Sequence, residues 1–185
     1  VKRVDCGMKM RSNKKLKNFE LHQEAHVFGN VYVQYNGLLD GKCDFGTIKN
    51  VETSEYDQFV LISGNGGGGN GGCSDGFEID LSEVTSLTGK AYSSAASLEL
   101  SQVTLDGPIA VPSLTEATHG VVLQLLSGVR DSITFDALKT TSRVRVRRNT
   151  MGTPTTLRFP ELESTSYLEM DENTGLVEAH FPELT

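Results

Sequence analysis

Short runs of this chain alternate apolar and polar residues, and the alternation returns at a near-constant interval. The clearest marker is a four-residue segment with apolar first and last positions. It reads Phe45-Gly46-Thr47-Ile48, Leu81-Ser82-Glu83-Val84, Val111-Pro112-Ser113-Leu114, Phe135-Asp136-Ala137-Leu138, Phe159-Pro160-Glu161-Leu162 and Phe181-Pro182-Glu183-Leu184. Successive segments start 36, 30, 24, 24 and 22 residues apart. Two positions before each stands another apolar residue: Cys43, Ile79, Ile109, Ile133, Leu157 or Ala179. Further upstream in each unit lies a second pair, Val31/Val33, Phe59/Leu61, Leu98/Leu100, Leu123/Leu125, Val144/Val146 and Leu168/Met170. A period of two is that of a strand with one buried face. Each unit therefore predicts two short strands and turns, and no helical periodicity recurs from unit to unit. Asn36, Asn65, Asn149 and Asn173 follow several first strands. Asn suits a turn there because it tolerates left-handed backbone and bonds neighbouring peptide groups.

A unit of about 24 residues with two strands cannot bury its apolar side alone, so the units are expected to stack at roughly 4.8 Å per coil. The predicted fold is all-β, a single-domain parallel β-solenoid of about six coils of about 24 residues. It is expected to occupy residues 27–185, after a basic N-terminal arm or cap at 1–26. The low-complexity stretch 64–72, Gly-Asn-Gly-Gly-Gly-Gly-Asn-Gly-Gly, accounts for the longest interval. It lacks the Gly-Lys-Ser/Thr ending of a phosphate loop and reads as a flexible insertion, or a docking loop that orders on a partner.

The repeats Ser166-Tyr167-Leu168-Glu169-Met170, Leu176 and Phe181-Pro182-Glu183-Leu184, with Phe28-Gly29-Asn30-Val31-Tyr32-Val33 at the front, resemble the receptor L-domain and the related fungal cell-wall proteins. The resemblance covers residues 27–185 and is carried most by the last three repeats. It implies a right-handed, leucine-rich-repeat-like β-solenoid serving as a surface or extracytoplasmic binding and structural module, without catalysis.

Charge adds a second layer. The chain has 185 residues and 20.1 kDa, is 37% hydrophobic and carries a net charge of −7, which fits one folded domain. Seven of its 17 basic residues, Lys2, Arg3, Lys9, Arg11, Lys14, Lys15 and Lys17, fall in the first 18 positions, where Asp5 is the one acid. An acidic body with a basic arm argues against nucleic acid, whose readers place positive charge across the folded face. The arm reads as a solvated or partner-ordered tail, with an acidic partner, anionic lipid headgroups or RNA as the contacts open to it. No window reaches the roughly 18 apolar residues of a membrane helix, so no transmembrane segment is expected. The chain opens at Val1, as expected of a polypeptide from which a targeting segment has been removed.

The run Arg143-Val144-Arg145-Val146-Arg147-Arg148 is the most conspicuous charged feature. On a strand, Val144 and Val146 face inward while Arg143, Arg145 and Arg147 line the outer face. The 24-residue interval sets Arg145 beside Glu169, Arg147 beside Asp171 and Arg143 beside Tyr167. That predicts a cross-strand charge ladder. The alternative is contact with an anion or an acidic protein, since Arg143 has no carboxylate opposite. These three arginines and the seven basic residues of the arm are the candidate partner-binding residues.

Other chemistry is scarce. Cys6, Cys43 and Cys73 have no metal-ligand spacing, and their odd number leaves at least one unpaired within the chain. Cys43 is expected to fill the core. His22 and His26 stand four apart without a third ligand, and His119 and His180 are expected to be solvent-exposed. No nucleophile elbow occurs. The outward positions of the first strands, taken as Tyr32, Val60, Glu99, Gln124, Arg145 and Glu169, offer neither a paired-carboxylate site for sugar cleavage nor ranks of Thr for ice binding. No enzyme activity, cofactor or metal is therefore expected. The function expected is a non-catalytic structural or protein-binding module of a larger surface or multi-subunit assembly, with a glycan ligand also compatible. The alternative is an accessory subunit of a large organellar complex, docked by the arm, the glycine-rich loop and an open coil end. Placement at the cell surface follows from the resemblance, with an organelle lumen as the alternative. The last segment is followed by Thr185 alone, so the final coil is expected to be covered by further sequence, another subunit or a second copy.

Overall fold

A computed structural model of the chain describes residues 3–4, 8–13, 26–28, 30–34, 43–49, 60–63, 77–82, 84–87 and 96–185. Residues 3–4, 26–28, 43–49, 60, 77–80, 86 and 106 are described by backbone alone. The described residues contain seventeen strands and no helix. The first eight are β1 (Arg3–Val4), β2 (Met8–Arg11), β3 (His26–Phe28), β4 (Val31–Gln34), β5 (Cys43–Lys49), β6 (Val60–Ser63), β7 (Phe77–Asp80) and β8 (Ser86–Leu87). Next come β9 (Ser97–Ser101), β10 (Thr104–Ala110), β11 (Glu116–Ala117), β12 (Gly120–Gln124) and β13 (Ser127–Thr134). The last four are β14 (Thr140–Arg147), β15 (Thr150–Arg158), β16 (Ser164–Asp171) and β17 (Thr174–His180). No helix among the described residues is long and apolar enough to cross a membrane.

All pairings are parallel and join each strand to its equivalent on the next turn, which makes the fold a β-solenoid. The long sheet stacks β2, β4, β6, β9, β12, β14 and β16, with the short strands β8 and β11 running into the start of β14. The opposite wall stacks β10, β13, β15 and β17. Strands β1, β3, β5 and β7 form a separate four-stranded sheet. The solenoid has about four turns in which both walls are continuous, from Ser97 to His180, rather than the six coils expected. The difference arises at the 30-residue interval between Leu81 and Val111: no ladder among the described residues joins β7 to β10. Upstream, the long sheet runs on through β2, so Lys9 and Arg11 of the basic arm sit in a sheet strand paired with Tyr32 and Gln34.

The core is a stack of equivalents. Ile109, Ile133 and Leu157 pair level with one another, and all are buried. The four-residue segments turn the chain between walls and send both apolar ends inward. Val111, Leu114, Phe135, Leu138, Phe159 and Leu162 are fully buried. Phe135 and Phe159 stack with ring centroids 4.7 Å apart, and Phe159 and Phe181 at 5.2 Å. The Leu162 N–H donates to the Phe159 carbonyl at 3.4 Å, and Leu184 repeats this with Phe181. In such a turn Pro160 and Pro182 occupy the second position, where a fixed φ is favourable and no N–H is needed.

Two expected registers are corrected. In the third long-sheet strand Val60 pairs with Val31 and Leu98, and Ile62 with Val33 and Leu100, so buried Ile62 and not Leu61 lies on the inward side, and Phe59 lies outside the described residues. In β12 the inward pair is Val121/Leu123, while Leu125 lies at a corner with φ of 53° and is 38% exposed. In both places apolar residues occupy adjacent positions, so alternation alone does not choose a face, and a slip of one residue inverts the assignment. The first four-residue segment is also shifted. Thr47 pairs with Asp80 and Cys43 with Phe77, across a register irregularity, so Ile48 and not Phe45 follows in line with Leu81. The expected burial of Cys43 lies outside the described side chains.

The described corners after the long-sheet strands have their own rule. Ser12, Gln102, Leu125, Arg148 and Glu172 all adopt left-handed backbone, with φ between 51° and 57°. Asn149 and Asn173 are thus one residue past that seat, and Asn36 and Asn65 lie outside the described residues. Asn149 turns inward and is buried at the place held by Val103 and Leu126 on earlier turns. Its Oδ1 accepts from the Leu126 N–H at 2.8 Å, and its Nδ2 donates to the Leu123 carbonyl and to Asn173 Oδ1. Asn173 Nδ2 in turn donates to the Val146 carbonyl.

Removing the middle ring of the aromatic stack tests its weight. Phe159→Ala is expected to lower unfolding stability in urea by about 3–5 kcal/mol, against less than about 1 kcal/mol for Pro160→Ala. Asn149→Leu preserves bulk but leaves the buried Leu126 N–H unmatched, with an expected loss of about 1–3 kcal/mol in the same assay.

Candidate partner-binding face

The outer face of the long sheet brings the charged candidates into two columns. Pairing aligns Lys9, Tyr32, Leu61, Glu99, Val122, Arg145 and Glu169 in the first. The second holds Arg11, Gln34, Ser63, Ser101, Gln124, Arg147 and Asp171. Leu61 and Val122 therefore correct the outward set read from the sequence, while Gln124 stays outward, in the second column. Lys9 and Arg145 share a column but stand five strands apart, about 24 Å at a strand spacing of about 4.8 Å. They cannot form one compact basic patch.

The last two turns are joined by an ionic ladder in the register the repeat predicts. Arg145 Nε donates to Glu169 Oε2 at 2.7 Å, and Arg147 Nε to Asp171 Oδ2 at 3.2 Å, with Glu169 Oε1 3.7 Å from the same nitrogen. The Tyr167 hydroxyl donates to Glu169 Oε2 at 2.9 Å. Arg143 places its guanidinium 5.8 Å from the centre of the Tyr167 ring, a cation–π contact. Gly120 permits that turn to close on the next, since a Cβ there would lie 2.9 Å from the Arg143 carbonyl oxygen. The sequence reading omitted Arg148, which pairs with Glu172 at 2.6 Å. The same 24-residue offset that aligns Arg145 with Glu169 also finds this pair.

The ladder shifts the titration of its members. The bond from Arg145, followed by that from Tyr167, holds the Glu169 carboxyl below its ordinary value. Arg145 is raised in return, chiefly by the bond to Glu169. Glu99, half-buried two strands away, is pushed up from its ordinary 4.5 by burial, against a smaller opposing pull from Arg145.

The arm residues divide. Lys9 and Arg11 are exposed on β2, with Lys9 Nζ 5.6 Å and the Arg11 guanidinium carbon 6.0 Å from the centre of the Tyr32 ring. Arg3 is in β1, opposite His26 in β3. Lys2, Lys14, Lys15 and Lys17 lie outside the described residues, as do His22 and the glycine-rich stretch 64–72. Among the described residues no group of three potential ligands gathers to hold a metal ion. His180 Nε2 lies 3.0 Å from Glu178 on the surface. His119 departs from the exposed position expected of it: it is half-buried, with Nδ1 enclosed and lacking a hydrogen-bond partner.

On β16 the inward side chains are partly exposed. Leu168 and Met170 are 38% and 43% exposed, whereas Val144 and Val146, level with them on the preceding turn, are fully buried. Phe181 and Leu184 are likewise only partly covered. Comparison with family models, curated proteins and solved structures gave no match to the chain.

The two perturbed carboxylates predict opposite pH behaviour. A depressed pKa gives Glu169 a stabilising contribution that is present above the ordinary carboxylate range and lost as pH falls through its folded value. Glu169→Gln is therefore expected to lower thermal stability at pH 7, with the difference from the parent shrinking as pH falls through the folded value. A raised pKa makes Glu99 destabilising once pH rises through its folded value. Glu99→Gln is expected to raise stability at pH 7 and to converge with the parent below pH 4, both read from melting curves across pH.

Proposed function

We propose that this chain is a non-catalytic structural and protein-binding module that works within a larger assembly. The observation that carries the reading is the engagement of the outer-face carboxylates. Glu169, Asp171 and Glu172 are held by Arg145, Arg147 and Arg148, so these carboxylates are engaged in joining turns and not in acid–base work. Resemblance to the receptor L-domain and fungal cell-wall proteins adds the expectation of a surface module with a protein or glycan ligand.

The test is the native mass of this polypeptide in a gentle extract of its source, with mass spectrometry of whatever migrates with it. Migration in a larger, defined species is the expected result. Migration of the polypeptide alone, with nothing else beside it, overturns the reading.

A further inference from the structure

Charge on the outer face of the long sheet is handled in two ways. Where β14 meets β16, each outward arginine has a partner on the next turn: Tyr167 for Arg143, Glu169 for Arg145 and Asp171 for Arg147. Three other charged residues of this face, Lys9, Arg11 and Glu99, make no ion pair among the described residues. Lys9 and Arg11 are exposed on β2 beside the Tyr32 ring. Glu99 is half-buried between Leu61 and Val122, so neither flanking turn sets a cation level with it. Burial raises its pKa, and the pull of Arg145 two strands away only partly opposes this. The order β2-β4-β6-β9 places Lys9 and Glu99 three strands apart in one column, about 14 Å at about 4.8 Å per strand. Tyr32 and Leu61 lie between them.

We propose that this column is a docking track for an extended segment of another protein, one that carries an acidic residue and a basic residue four positions apart with an apolar residue midway. The inference rests on the protein-binding reading above and names the chemistry of the partner. An extended segment advances about 3.4 Å per residue and points alternate side chains to one side, so residues i, i+2 and i+4 face the sheet and span about 14 Å. Laid along the column, across the strands, it sets its carboxylate at Lys9 and Arg11, its apolar residue over Tyr32 and Leu61, and its cation on Glu99. The ladder shows the anchor geometry this face supports, with Arg145 Nε on Glu169 Oε2 at 2.7 Å. Opposite charges at the two ends also select against a ligand of one sign. A nucleic acid or an anionic lipid surface that satisfies Lys9 and Arg11 brings negative charge onto Glu99.

The probe is the blocked peptide Thr-Glu-Thr-Val-Thr-Arg-Thr, added in millimolar excess to the isotopically labelled 185-residue chain and followed by amide chemical shifts. Saturable shifts are expected on β2, β4, β6, β9 and β12, with binding that weakens between about 0.05 and 0.5 M salt. Shortening the charge spacing, in Thr-Glu-Thr-Arg-Thr-Val-Thr, is expected to weaken binding at least about fivefold. Charge swaps assign each contact, with every fold checked by circular dichroism. Glu99→Lys is expected to reverse the preference toward Thr-Glu-Thr-Val-Thr-Glu-Thr, and Lys9→Glu with Arg11→Glu toward Thr-Arg-Thr-Val-Thr-Arg-Thr. Glu99→Gln, expected to stabilise the chain, is expected to lose affinity for the first peptide, which separates the contact from folding. A parent chain without saturable shifts overturns the proposal, as do equal binding of the two spacings and preferences unmoved by the swaps. If the peptide fails while the chain migrates with other polypeptides from its source, a different surface binds them and the protein-binding reading stands. If the chain also migrates alone, both fall.

Discussion

Parallel strands paired in register set each residue about 4.8 Å from its equivalent on the next turn, and that constraint governs what this sequence can place where. The consequence depends on residue type. Rings gain from stacking, as Phe135, Phe159 and Phe181 do, and amides gain by bonding in series, as Asn149 and Asn173 do. Like charges lose, because neither can turn away from the other on a flat sheet face. A row of arginines on one turn therefore requires something other than cations on the next. Tyr167, Glu169, Asp171 and Glu172 supply it.

The same constraint explains what the sequence made legible. Phe-Pro-Glu-Leu and its relatives stand out because each position has a separate duty: two ends buried, a proline where φ is fixed, and a polar residue outside. Arg145 and Glu169 follow at once from the 24-residue interval. Legibility fails where the code is redundant. Phe59-Val60-Leu61-Ile62 and Val121-Val122-Leu123 are apolar on both parities, and there the register is set by neighbouring strands: Val31/Val33 and Leu98/Leu100 flank β6, and Leu98/Leu100 and Val144/Val146 flank β12. The upstream half is harder still, since unequal intervals and the register irregularity in β5 displace Phe45 from its apparent place.

The corners expose a different limit of pattern reading. A sequence scan assigns left-handed backbone to Asn, yet the seat is filled by Ser12, Gln102, Leu125, Arg148 and Glu172, which share no chemistry. What recurs is the geometry after the seat: the next residue must point into the core, and Val103, Leu126 and Asn149 do so. Where that residue is Asn, the polar interior is fully bonded, which is the condition for burying an amide without penalty. The modest strain at each corner is sustained by the ladder bonds around it, such as those from the Arg148 N–H to the Asp171 carbonyl and from Leu125 to Arg147.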